Sequence, residues 1–75
     1  MIFETVRDTL AQQFDIDPES ITMDTDLVED IGADSLDIVE LIMALEDNYA
    51  VSISDDDAAK LVTVRKICDY LESLQ

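Results

Sequence analysis

Apolar side chains between Ser35 and about Tyr49 recur at a spacing that only a helix gathers onto one side. At about 100° per residue, Ile38, Val39, Leu41, Ile42, Leu45 and Tyr49 share a wide arc. Asp37, Glu40, Ala44 and Asp47 take the narrow remainder. An arc this wide needs neighbours on more than one side, which points to a helix inside a bundle. Leu36 and Met43 fall on the border with the Glu40–Asp47 stripe, so they are the apolar residues of this helix expected to stay partly exposed.

The partners of that helix lie on both sides of it. Residues 2–14 carry Ile2, Phe3, Val6, Leu10 and Phe14 at helical spacing, which predicts a first helix. The only proline, Pro18, breaks the pattern. From Ile21 to Asp34 runs a long acidic connection, with Ile21, Leu27 and Ile31 as its expected anchors in the core. Ser54-Asp55-Asp56-Asp57 has the form of a capped helix start, with acids at the end the dipole favours. This third helix is expected to end near Leu61, after about two turns, and has little propensity of its own. Thr63 caps a last helix with Val64, Ile67, Cys68 and Leu71 on one face. The pattern predicts an all-α fold, a four-helix bundle with a long first loop and a short third helix.

The charge restricts what such a bundle can bind. Nineteen acidic residues against 4 basic ones give a formal net charge of −15 over 75 residues. Arg7, Lys60, Arg65 and Lys66 are too few to neutralise a nucleic-acid backbone, and an anionic membrane surface is disfavoured for the same reason. A partner with a basic patch is the natural complement. The absence of histidine removes a Ser-His-Asp triad and the usual imidazole base. One cysteine excludes an internal disulfide and a cysteine-cluster zinc site, and Cys68 reads as a core thiol. An EF-hand starting at Asp24 fails, because Glu29 and Ser35 stand where glycine and glutamate are needed. No specific metal site is expected. No apolar run approaches the roughly 18 residues of a membrane span and there is no signal-peptide pattern, so the chain is expected in the cytoplasm.

Gly32-Ala33-Asp34-Ser35-Leu36 joins the long connection to the central helix. Asp34 is a natural N-cap, and Gly32 allows a tight turn. Ser35 then sits beside free amides and the positive end of the helix dipole, a place that favours a phosphate. A serine hydroxyl held there could serve as a nucleophile, a cap or a covalent attachment point.

Gly32-Ala33-Asp34-Ser35-Leu36, followed by Asp37-Ile38-Val39-Glu40-Leu41, resembles the acyl carrier protein family. Leu27-Val28-Glu29-Asp30-Ile31 and Leu41-Ile42-Met43-Ala44-Leu45-Glu46 match the family before and after the serine. Ala58, Lys60, Thr63-Val64 and Asp69-Tyr70-Leu71 extend the likeness, which covers the whole chain as a single carrier domain, 1–75. Ser54, where a proline is frequent, and Val62, where a small polar residue is frequent, depart from the pattern.

The resemblance implies that Ser35 carries 4′-phosphopantetheine donated from coenzyme A, and that the chain presents thioesters without being an enzyme. It implies docking of partner enzymes through Asp34, Leu36, Asp37, Glu40, Met43, Glu46, Asp47 and Ile53. The expected partners are a phosphopantetheinyl transferase and fatty-acid synthase enzymes with basic patches, met by a monomer. Val39, Ile42, Leu45, Leu61 and Val62 are expected to line a pocket for the acyl chain, between the second and third helices. A polyketide or aminoacyl (D-alanyl-type) carrier is the alternative within the family. An unmodified acidic interaction module is the alternative outside it, and an enzyme acting through Ser35 ranks third, for want of a general base.

Overall fold

A computed structural model describes residues 2–75. Four helices follow one another: α1 (Ile2–Phe14), α2 (Ser35–Tyr49), α3 (Asp55–Ala58) and α4 (Val64–Ser73), with a 3-10 turn at Pro18–Ser20. No strand forms among the described residues. The expected all-α, four-helix architecture is what the chain adopts. No helix of the described residues is long and apolar enough to cross a membrane.

Each helix starts and stops for a local reason. In α1, Val6 and Leu10 are fully buried, and Asp15 ends the helix in the left-handed region at φ 54° while the Ile16 N–H reaches back to the Ala11 carbonyl (3.1 Å). Asp17 accepts from the Glu19 N–H (2.9 Å), and Pro18 opens the 3-10 turn, where its missing N–H costs nothing. Thr63 accepts from the Lys66 N–H (3.2 Å) to start α4, which buries Val64, Ile67, Cys68 and Leu71, the face its spacing predicts. α1 packs against α4 and α2.

The third helix is shorter than expected. It stops at Ala58, because the Lys60 N–H donates to the Asp57 carbonyl (3.0 Å) and the Leu61 N–H to that of Ala58 (3.1 Å). These contacts three residues apart tighten the chain out of the α-helix and turn Leu61 inward, where it is buried. No residue of α3 is fully buried, and α3 makes no extensive contact with another helix among the described residues. Two polar bonds hold its neighbourhood: the Tyr70 hydroxyl donates to Asp57 Oδ2 (2.8 Å), and the Ile53 N–H donates to Glu46 Oε2 (2.7 Å).

The long connection is ordered by hydrogen bonds to the α3–α4 turn. The Leu27 N–H donates to the Val62 carbonyl (2.9 Å), Val64 N–H to Thr25 (3.1 Å) and Arg65 N–H to Met23 (2.8 Å), around an antiparallel bridge between Asp26 and Thr63. Ile21 and Leu27 are buried and Ile31 half-buried, as anchors should be. Gly32 adopts φ +79°, which only glycine takes without strain, and the Ala33 N–H closes onto the Leu27 carbonyl (2.9 Å). The connection thus delivers Asp34 to the start of α2 at a fixed angle.

Candidate functional site

Asp34 is the N-cap of α2, in extended conformation, and Ser35 is the first residue inside the helix. The Asp37 N–H donates to Asp34 Oδ1 (3.0 Å) and the Asp34 N–H donates to Asp37 Oδ2 (3.1 Å), a reciprocal capping box. The Ile38 N–H is taken by the Asp34 carbonyl (3.0 Å). Among the described residues this leaves the Ser35 and Leu36 amides as the unpartnered donors of the first turn. Gln13 of α1 donates to the Asp37 carbonyl (2.8 Å) and holds this turn against α1. The Ser35 side chain is exposed and makes no hydrogen bond among the described residues, so it is not the cap. An exposed hydroxyl beside two free amides and the positive helix end fits an anionic phosphodiester.

From that end, α2 presents an exposed face of mixed character. Leu36 (74% exposed), Val39 (53%) and Met43 (60%) fall at i, i+3 and i+7, a single stripe. Glu40 and Asp47, both exposed, run beside it. Val28 of the connection and Val62 of the α3–α4 turn are exposed apolar residues as well.

Two expected positions are corrected. Ile53 is buried, so it offers no docking surface; its N–H is held by Glu46, which turns the residue into the core. Val39 faces solvent and cannot line an interior pocket in this conformation, because it follows the Leu36–Met43 stripe and not the Ile42–Leu45 side. Val62 is 37% exposed and stands at the rim, whereas Ile42, Leu45 and Leu61 are buried. Glu46, expected among the docking acids, is half-buried and bound to the Ile53 amide. A cavity of about 460 Å³ lies away from α2 and α3, between the 3-10 turn and the long connection, beside Ile16, Ile21, Thr25 and Ile31. The spacing of residues 36, 39 and 43 was the signal that could have placed Val39 correctly.

Cys68 is buried in the face that α4 turns to the core. Burial pushes its thiol up, and the charges of Glu72 and Asp69 add to the shift. A thiol held protonated in this way is a packing group and a poor nucleophile.

The family model described as "Phosphopantetheine attachment site" matches residues 4–71. The acyl carrier protein of Campylobacter concisus is 45% identical over 73 residues, covering 97% of this chain and 95% of that protein. That of Campylobacter lari is 45% identical over 74 residues, covering 99% and 96%. A solved acyl carrier protein from Enterococcus faecalis matches the fold with a TM-score of 0.85 at 32% identity, over 99% of this chain and 94% of that one. A phosphate-ready helix start on a four-helix bundle, matched at this identity over nearly its whole length, belongs to the acyl carrier protein family, whose members bear 4′-phosphopantetheine, carry acyl groups for fatty-acid synthesis and act as carriers rather than catalysts.

Proposed function

We propose that Ser35 is the residue that takes the 4′-phosphopantetheine. The observation that carries this is the first turn of α2: Asp34 and Asp37 satisfy each other's amides, so the Ser35 and Leu36 N–H groups remain for a phosphate, and the Ser35 hydroxyl is exposed with no structural role. In the transfer, Ser35 Oγ forms the new P–O bond to the pantetheine-bearing phosphorus, the phosphoanhydride bond of coenzyme A breaks with adenosine 3′,5′-bisphosphate as the leaving group, and the hydroxyl proton passes to a base of the transferase. When bound, the group supplies a thiol that holds the acyl chain as a thioester. The chain's own residues orient the attachment, through Gly32, the capping box and Gln13.

The docking surface is the exposed face of α2. Leu36 and Met43 supply apolar contact, and Val39 joins them on the same stripe. Glu40 and Asp47 supply free carboxylates that attract basic patches on a transferase and on fatty-acid synthase enzymes. Asp34, Asp37 and Glu46 contribute charge at the edge while holding backbone amides. The chain acts as a monomer in the cytoplasm, as a single carrier domain over 1–75.

A carried acyl chain folds back into the bundle, between α2 and α3, against Ile42, Leu45 and Leu61, with Val62 at the rim. Each buried CH₂ gains roughly 0.8 kcal/mol, so six methylenes offer about 5 kcal/mol before ordering costs. The way in is past α3, which buries no residue fully and is too short to stand alone.

The test of the attachment site is intact-mass measurement after incubation with coenzyme A and a phosphopantetheinyl transferase. The wild-type chain gains one phosphopantetheine unit and Ser35→Ala gains none. Addition to the Ser35→Ala chain would overturn the assignment.

A further inference from the structure

The hydroxyl of Tyr49 is buried and has no hydrogen-bond partner among the described residues. Tyr49 ends α2, one and two turns beyond Leu45 and Ile42 on the same side, and its ring packs against the core. It lies ~20 Å along the helix axis from Ser35. The connection that follows folds back over this last turn: the Val51 N–H donates to the Glu46 carbonyl (3.2 Å) and the Ile53 N–H to the Glu46 carboxylate (2.7 Å). Tyr49 as a whole is only partly buried, but a phenol oxygen taken from water without an acceptor is less stable than phenylalanine at the same place. The ring alone would give the packing, so the oxygen needs another explanation.

We propose that the Tyr49 hydroxyl is a specificity-determining hydrogen-bond donor for oxygenated acyl chains, those with an oxo or hydroxy group along their length. The proposal rests on the reading that the carried chain enters the bundle. A saturated chain brings no acceptor beyond its thioester carbonyl and leaves the hydroxyl unpartnered. A chain with an oxygen at the right carbon satisfies it, and the exclusion of water from the hydroxyl strengthens the bond. The interior therefore discriminates by chemistry as well as by length, because a buried polar group left without its partner is what separates two similar ligands most sharply.

The test compares wild type with Tyr49→Phe, each as the holo protein and loaded with octanoyl, 3-oxooctanoyl, 3-hydroxyoctanoyl or 8-hydroxyoctanoyl groups, by thermal melting. In the holo and octanoyl forms Tyr49→Phe melts above wild type, by roughly 4–8 °C. With at least one of the oxygenated chains the order reverses, and wild type melts higher. A difference between tyrosine and phenylalanine that is the same for every cargo, the result for a hydroxyl held by water, overturns the proposal. Failure of the underlying reading looks different: octanoyl loading then leaves the midpoint of both proteins unchanged from holo, which sinks burial of the chain and the Tyr49 proposal together.

Discussion

Asp34 and Asp37 each hold the other's backbone amide, at 3.0 and 3.1 Å, across the first turn of α2. Asp37, named through the family resemblance only as a docking charge, is therefore structural as well, as the sequence already indicated for the cap Asp34. Charge reversal separates the roles. Asp37→Lys removes half of the capping box and sets a cation against the positive helix end, which costs about 1 kcal/mol. Glu40→Lys, exposed and outside the box, changes stability by less than about 0.5 kcal/mol. Chemical denaturation reads the first difference. Transferase rates across a salt series read the second, where Glu40→Lys slows encounter and flattens the salt dependence. An Asp37→Lys chain as stable as wild type would show that the box contributes nothing.

Ala50 ends α2 in the left-handed region, at φ 53° and ψ 43°, a conformation glycine takes freely and alanine does not. Ala50→Gly is expected to stabilise the chain by about 1 kcal/mol, raising the midpoint by roughly 4–8 °C. Gly32 gives the converse case. Nothing lies within 4 Å of a Cβ added there, yet its φ of +79° makes Gly32→Ala destabilising by about 1 kcal/mol. Melting curves of both variants check the pair, and a neutral Gly32→Ala would show that the turn relaxes.

Tyr70 ties α4 to α3 through Asp57. The hydrogen bond to Asp57, then desolvation, then the Asp57 charge push the Tyr70 phenol above its ordinary value of 10.0. The fold favours the neutral phenol, so this contribution is fully present below pH about 10 and is lost as pH rises through the raised value of the folded chain. Amide exchange in residues 55–62, taken relative to the intrinsic base-catalysed rate at each pH, should lose protection in that alkaline window. Tyr70→Phe should exchange faster already at neutral pH, with no further step in the window. Equal exchange in wild type and Tyr70→Phe at pH 7 would show that the bond does not hold α3.

The described residues contain two ion pairs, Arg7–Asp8 and Arg65–Asp24, both partly or largely exposed, against a net charge of −15. Most carboxylates therefore repel without compensation. Raising ionic strength from ~10 to ~500 mM shortens the screening length from about 30 Å to under 5 Å and should raise the melting midpoint. A midpoint that falls or stays fixed over that range would show that self-repulsion does not limit stability.

Much of this protein was legible from local pattern. α1 and α2 span the residues that apolar spacing gives them, and α4 begins where its cap residue places it, because a helix repeats every 3.6 residues and its start is satisfied by side chains a few positions away. The cap roles of Asp34, Ser54 and Thr63 are local in the same sense, and so is the phosphate-ready position of Ser35. Tertiary structure decided what depends on partners from distant segments. Val39 and Ile42 are equally apolar and lie on one arc, yet one is exposed and the other buried, since only packing chooses how much of a wide arc is covered. Ile53 is expected at the docking surface only through the family resemblance; it is buried, and the carboxylate of Glu46, seven residues earlier, binds its amide. Tyr49 reads as an ordinary core aromatic, and only the closed interior shows that its hydroxyl has been taken from water without receiving a partner.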